Sequence, residues 1–135
     1  MAIQLSVAVR NARLDAIETT IGTSAVLKIR TGAQPATCAT ADSGTVLATI
    51  SCPSDWANAA SSGSKTLLGS WSDSAADNTG TAAHFRLYAS DGTTCHMQGT
   101  VTITGGGGDM TVDNTSFASG QVFTVTTFTL TDANS

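Results

Sequence analysis

The sequence is poor in charged residues and in long apolar runs, and each shortage excludes a class of protein. Only 12% of its 135 residues are charged. The six Lys and Arg residues are scattered, so the clustered positive charge that nucleic-acid binding requires is missing. No apolar run approaches the ~20 residues of a membrane span, and the N-terminal segment has no signal-peptide core. We therefore expect a protein folded in a reducing cytoplasm, with no nucleic-acid and no membrane partner.

Cysteine and histidine are also scarce, which leaves few ways to build a metal site or a nucleophilic centre. The three cysteines form no C-x-x-C pair, and their odd number argues against a disulfide framework, although a single Cys38–Cys52 bond stays open. His84 and His96 are expected at the surface or rim, about 13 Å apart along the strand ladder and too far apart to share a metal ion. No G-x-S-x-G motif of a serine hydrolase occurs. We expect no catalytic residue, no metal and no cofactor.

Four consecutive glycines, at 105–108, raise the question of a phosphate-binding loop. Such a loop leads from a strand into a helix and supplies a Lys followed by Ser or Thr. Here the glycines precede "DMTVDN", which carries no Lys or Arg and favours a strand. The glycines are therefore predicted to form a turn between strands. Asp73 and Asp77 likewise fit a turn with side-chain hydrogen bonds better than a weak Ca²⁺ site.

One helix is predicted, over residues 6–22. Ser6 supplies an N-cap and Gly22 a C-terminal stop. Arg10 lies within the apolar stripe of this helix and Arg13 flanks it. The apolar stripe consists of Val7, Leu14, Ile17 and Ile21, and a second, flat stripe consists of Ala8, Ala12 and Ala16.

The remainder of the chain, residues 24–131, alternates between apolar and polar positions. Gly, Ser, Asp and Asn clusters separate the alternating runs, a pattern typical of antiparallel strands joined by turns. We expect one domain over residues 1–135, mainly β, folded as a jelly-roll-like antiparallel β-sandwich with one N-terminal α-helix. The seven runs are "SAVLKIRT", "TVLATIS", "TLLGSW", "AHFRLYAS", "TCHMQGTVTIT", "MTVDN" and "QVFTVTTFTLT".

The parity of the apolar positions predicts two irregularities in the sheet. In the last run the apolar parity changes after Val125, which indicates a bulge near residues 126–127. Around "ASDGTTC", a two-residue loop would place core residues opposite solvent-facing ones, so an odd loop with a bulge or wider turn is expected. The pairs predicted by the odd loop are Leu87 with Met97, Ala89 with Cys95, and Tyr88 beside His96.

The two tryptophans differ in their surroundings. Trp71 ends a strand pattern and is expected in the core. Trp56 follows "CPSD" in a long loop, where a core position and an exposed contact position are both open. If exposed, it would suit either sugar stacking or protein contact.

Four segments carry a resemblance to a known family. They are "AVRNARLDAIETTIGTSAVLKIRTG", "FRLYASDGTTCHMQGTVT", and "GGGGDMTVDN" with "GQVFTVTTFTLT". Over nearly its whole length the chain resembles the small capsid-decorating, or cement, proteins of tailed bacteriophages. The resemblance implies a jelly-roll-like domain on the outer capsid surface of a virion, bound to the major capsid protein. There it would brace contacts between coat subunits, often as a homodimer.

We expect the helix to make the contact with the coat, because Arg is favoured at interfaces and the alanine stripe is flat. The apolar stripe can instead close one end of the sandwich, and an exposed strand edge can equally serve as the contact. An alternative function is a glycan- or receptor-binding module of a fibre or tail, built on Trp56 and on Tyr88 beside His96; another is a coat or tail-tube subunit. The predicted interface residues are Arg10, Arg13, Leu14, Ile17 and Trp56.

Overall fold

The computed structural model describes residues 3–132, and in this range the chain forms one helix and ten strands. The prediction of a mainly β fold with one N-terminal helix is confirmed. The elements are α1 (Val7–Ile21), β1 (Val26–Arg30), β2 (Val46–Ser51), β3 (Ser64–Thr66), β4 (Ser72–Asp73), β5 (Gly80–Thr81), β6 (His84–Tyr88), β7 (Cys95–Ile103), β8 (Met110–Val112), β9 (Ser116–Phe117) and β10 (Phe123–Thr131).

The strands form one curled, mixed sheet and one small ribbon. The sheet runs in the order β2-β1-β6-β7-β8-β10-β3, with β4 also paired to β10, and β5 pairs with β9 in the ribbon. The jelly-roll connectivity is not confirmed, because the order follows a single curled sheet. The run "TLLGSW" is also not a strand as predicted: β3 ends at Thr66, and Leu67 makes only an isolated bridge to Ala57.

The sheet is not antiparallel throughout, which corrects the prediction. β7 and β8 pair in parallel, with Val101 opposite Met110 and Ile103 opposite Val112. The glycine turn makes this tight return feasible. Gly105 and Gly107 have φ of +85° and +81°, and a Cβ at Gly106 would lie 2.7 Å from the Thr102 side chain. The four glycines lead into strand β8, so the prediction of a turn between strands is confirmed.

Both predicted irregularities are present in the sheet. The register of β10 against β8 shifts between Val125 and Thr127, as the parity change indicated. In the β6–β7 hairpin Leu87 pairs with Met97 as predicted. The register then shifts, so Tyr88 lies opposite Cys95 and the backbone N–H of Ala89 bonds to Thr94. The expected pairs Ala89–Cys95 and Tyr88–His96 are therefore wrong, because the bulge shifts the register by one residue after Leu87.

The core lies between the curled sheet, the helix and the segment 52–71. Trp71 is buried there as expected, with its ring 5.8 Å from that of Phe128, which in turn lies 5.4 Å from the ring of Phe85. Apolar side chains of β1 and β6 complete this layer, and their burial agrees with the alternating pattern. The apolar side chains of β1 and β6 in this layer are Leu27, Ile29, Phe85 and Leu87, all of them fully buried.

The ends of α1 are set by local signals, as predicted. The Ser6 hydroxyl accepts a hydrogen bond from the backbone N–H of Val9, which satisfies one of the unpaired donors at the helix N-terminus. At the other end Gly22 adopts φ +88° and donates its N–H to the carbonyl of Glu18. The helix therefore begins and ends where the sequence places it.

A buried ammonium attaches α1 to the sheet. Lys65 of β3 is 2% exposed, and its Nζ lies 2.8 Å from Asp15 Oδ1 and 2.7 Å from Glu18 Oε2. The same Nζ donates to the carbonyl of Asn58. Burial alone would lower the pKa of Lys65, but the hydrogen bonds to the two carboxylates outweigh it and raise the pKa above its usual value. The Lys65 bridge fixes the rotation of the helix about its axis.

We predict that Lys65→Ala lowers the free energy of unfolding by about 2 kcal/mol, because it leaves Asp15 and Glu18 without a cation and the Asn58 carbonyl without this donor. Urea unfolding followed by tryptophan fluorescence measures the loss. Lys28→Ala is the matched control, since Lys28 donates one hydrogen bond, to the carbonyl of Gly92, and should change stability less. Equal losses in the two variants would contradict a special role for Lys65.

Candidate functional site

The inner side of α1 attaches to the C-terminal end of β10. Arg10 Nε donates to the carbonyl of Asp132 at 2.7 Å, and Arg13 Nε lies 3.2 Å from the Asp132 carboxylate. Leu14 is buried at 4% exposure, and Ile17 packs against the core. Of the two roles left open for the apolar stripe, closing one end of the sheet is the observed one.

These contacts change the expected roles of the predicted interface residues. Leu14 faces the core, so its prediction as a partner contact is wrong. Arg10 and Ile17 are half-buried against the chain's own strands. Arg13 keeps 61% of its side chain exposed beside its ion pair and stays a predicted contact residue.

Trp56 is a core residue, which corrects its prediction as an interface residue. It is 1% exposed, its ring centroid lies 6.0 Å from that of Trp71, and its Nε1 donates to the carbonyl of Gly22 at 2.9 Å. This hydrogen bond satisfies the indole N–H and holds the end of α1. Tyr88 is also fully buried. The aromatic platform on which the glycan-binding alternative depended is therefore not on the surface.

The outward side of α1 is uncharged and made of small residues. We call it the outer helix face; it comprises Ala8, Val9, Ala12, Ala16, Thr19 and Thr20, all of them exposed. A helix side turned to solvent usually carries charged residues, and here the charges lie on its flanks or face the sheet. Such a surface is suited to close packing against another protein.

The edges of the large sheet are covered by the chain itself. Along β2, the Thr49 N–H bonds to the Asp73 carboxylate and the Asp77 N–H bonds to the Leu47 carbonyl. Along β3, the Thr66 carbonyl accepts from Asn58. The alternative of a contact through an exposed strand edge is not supported, because these edge groups are already paired. Asp73 also accepts from the N–H of Ala75, two residues on, which is the expected turn.

A buried polar layer, which the sequence analysis did not predict, lies on the other side of the sheet. We define it by Arg30, Asp42, His84, Arg86 and Tyr88. All five residues of β6 are buried: one face meets the apolar core, and the other lies beneath the loop of residues 31–45. The guanidinium of Arg86, 1% exposed, donates to the carboxylate of Asp42. It also donates to three loop carbonyls, at 2.8–3.1 Å, those of Thr37, Cys38 and Thr40.

The carboxylate of Asp42 accepts hydrogen bonds from three side chains of the sheet. Arg30 Nη2 donates to it at 2.8 Å and Tyr88 Oη at 2.8 Å, in addition to Arg86. Partial burial of Asp42 acts to raise its pKa, but the hydrogen bonds from Tyr88 and Arg86 outweigh it, so the pKa is lowered and the group stays ionised. The two cations therefore face one carboxylate and a set of carbonyl oxygens, and together they hold the loop on the sheet.

His84 belongs to the same layer, and its prediction as a surface histidine is wrong. It is 1% exposed, and its Nδ1 lies 2.8 Å from the carbonyl of Gly32, so this nitrogen carries the hydrogen. Burial lowers the pKa of His84, and the charges of Arg30 and Arg86 lower it further. His96, by contrast, is exposed as predicted.

An open cleft of about 620 Å³ lies between α1 and the segment 52–59. Its lining includes Asp15, Glu18, Asp55 and Lys65, with small residues between them. Asp15 also accepts from the N–H of Ala60, so its oxygens and the ammonium of Lys65 are engaged in attaching the helix. No group of three or more potential metal-ligating side chains occurs within residues 3–132.

We predict that Arg86→Met loosens the loop of residues 31–45. The variant keeps the length of the side chain but loses four hydrogen bonds, so the free energy of unfolding should fall by about 3 kcal/mol. Amide hydrogen exchange in residues 31–45 should accelerate more than elsewhere. Arg13→Met, at an exposed ion pair, is the control and should leave the loop unchanged. Unaltered exchange in Arg86→Met would contradict the role given to Arg86.

A second prediction concerns pH. His84 has a lowered pKa in the fold, whereas the unfolded chain takes up a proton as the pH falls through about 6.5. The contribution of neutral His84 to the free energy of unfolding is therefore fully present above pH ~6.5. It is lost as the pH falls below this value, by up to about 1.4 kcal/mol per pH unit. His84→Asn keeps a donor for the Gly32 carbonyl and should remove this slope below about pH 6.5. His96→Asn should retain it. A wild-type slope in His84→Asn would overturn the assignment.

Comparisons with protein-family models, with curated proteins and with solved structures find no match for this chain. Within residues 3–132 the single helix is too short and too polar to cross a membrane. The case for a function therefore rests on the surface that the fold presents. The outer helix face, held in place by Lys65 and Asp132, is the candidate functional site.

Proposed function

We propose that this chain is a non-enzymatic structural protein of a tailed-phage virion. In this proposal it binds the outside of the capsid shell and stabilises contacts between coat subunits. Its partner is the major capsid protein, and it reaches the virion after synthesis in the bacterial cytoplasm. The resemblance of the sequence to capsid-decorating proteins gives the class, and the outer helix face supplies the contact surface.

The observation that carries the proposal is the combination of an uncharged outer helix face of small residues with a rigid attachment behind it. Ala12 and Ala16 lie one turn apart on the exposed side, and Val9 is 45% exposed. On the opposite side, Lys65 and Asp132 hold the helix by ion pairs. A surface that is already ordered loses little conformational entropy on binding, which favours affinity from a small contact area.

Repetition on a lattice strengthens a modest contact. A shell presents the same site many times, and a homodimer of this chain can engage two neighbouring coat subunits. The second contact is then effectively intramolecular, which raises the overall affinity without any new interaction. We include the homodimer in the proposal because it explains how a domain of this size can brace two subunits, and sedimentation equilibrium of the free chain tests it.

The proposal is tested by co-sedimentation with capsid shells that lack the chain, from the phage that encodes it. We predict saturable binding and a raised disruption temperature of the decorated shells, because a ligand of the assembled state stabilises that state. Ala12→Glu combined with Ala16→Glu should reduce the affinity at least tenfold, since it places two charges on the outer helix face.

The matched control is Ala118→Glu. Ala118 is exposed and precedes the start of β10, whereas α1 is attached at Asp132, after the end of that strand, so the control charge lies away from the helix. It should bind shells as the wild type does. Circular dichroism and thermal unfolding of both variants separate loss of the contact from loss of the fold. Unchanged binding by the double variant would contradict the helix as the contact. Failure of the wild type to bind any shell would contradict the proposed function itself.

A further inference from the structure

Cys38 and Cys95 are brought together by the polar layer. In β7, Gln98 pairs with Arg86 and Cys95 pairs with Tyr88, so both β7 side chains project from the face that the loop covers. The loop passes directly above them: Gln98 Nε2 donates to the carbonyl of Pro35 at 2.7 Å, and Arg86 Nη2 donates to the carbonyl of Cys38 at 2.8 Å.

The two thiols also interact with each other. Burial and the neighbouring Cys38 thiol both raise the pKa of Cys95, whose Sγ donates to the carbonyl of Met97 at 3.4 Å, and both cysteine side chains are partly exposed. The guanidinium of Arg86, which donates to the carbonyl of Cys38, lies close enough for its charge to oppose this rise in the pKa of Cys95. Cys52, by contrast, is buried against β1, and burial raises the pKa of its thiol to about 12. The structure thus favours Cys95 as the partner of Cys38, in place of Cys52, which the sequence analysis left open.

We propose that Cys38 and Cys95 form a reversible disulfide that fastens the loop of residues 31–45 to β7. The oxidant is a small-molecule disulfide such as oxidised glutathione. One protein thiolate attacks a glutathione sulfur and releases one glutathione thiolate; the second protein thiolate then attacks the mixed disulfide and releases the other. Two protein thiols are oxidised, one glutathione disulfide is reduced, and two protons are released and taken up by the departing thiolates.

The consequence is a loop that is held in two ways. In the reduced protein, the hydrogen bonds of Arg86 and Asp42 hold the loop on β6 and β7. In the oxidised protein, a covalent link between residues far apart in sequence restricts the unfolded chain, which should raise the midpoint of thermal unfolding by about 5–15 °C. This inference does not depend on the proposed function, because it concerns only contacts within the chain.

The test uses the purified full-length chain in mildly alkaline glutathione buffers of increasing oxidised-to-reduced ratio. We expect the free-thiol count to fall from three to one, with peptide mapping that locates the bond between Cys38 and Cys95 in a monomer. Cys38→Ser and Cys95→Ser should each abolish the thermal shift. Cys52→Ala, the control, should retain it.

Several results would overturn the inference. These are stable glutathione adducts without a protein–protein bond, a Cys38–Cys52 bond, or covalent dimers as the main product. No change in thiol count at any ratio would also overturn it. The thermal shift is read within each variant between its oxidised and reduced forms, so a general loss of stability in a serine variant does not obscure the result.

Discussion

The ion pairs of Lys65 are the interaction on which the presented surface depends. A Lys ammonium at 2% exposure is stable only with close partners, and α1 supplies two carboxylates one turn apart. Their position on the helix determines which side faces the sheet and therefore which side faces outward. Without this constraint, a helix with apolar residues on both sides could attach by either one. The exposure of Ala12 and Ala16 is thus a consequence of the burial of Lys65.

The polar layer on β6 plays the corresponding role for the other side of the sheet. β6 is the central strand between β1 and β7, and neither of its faces is in contact with solvent. On the core side it uses apolar packing, whereas on the loop side it uses the hydrogen bonds of Arg86 and the carboxylate of Asp42. The loop of residues 31–45 has no regular structure of its own, and it is ordered because its backbone carbonyl groups accept hydrogen bonds from a guanidinium. The charged groups of this layer stabilise a loop.

How much of this could be predicted from the sequence depends on whether the signal is local. The bounds of α1 follow from Ser6 and Gly22, and the bulge at 126–127 follows from a change of parity within one strand. Parity also separates Phe85 from Arg86, but it cannot reveal that a loop covers the second face, so the burial of Arg86 and His84 was missed. The return of β8 parallel to β7 depends on long-range pairing for which a short run carries no local signal.

The candidate site was predicted in part for the same reason. The alanine stripe was visible as a helical pattern, and its exposure agrees with a contact role. Leu14 and Trp56 were assigned to the interface because the sequence does not state which side of an element meets the core. The charge pattern on α1 holds a usable signal: Asp15 and Glu18 are one turn apart and flank the alanine stripe, so one cation of the sheet can bind both and leave the alanines exposed.

We propose that α1 is held by ion pairs so that its outer face can bind the coat, and electron cryo-microscopy of capsid shells decorated with this chain would show whether it does. We expect density for the chain on the outer surface of the shell, with Ala12 and Ala16 packed against coat subunits and Lys65 still enclosed beneath the helix. Density in which the outer helix face is turned to solvent, with the contact made by another part of the chain, would contradict it.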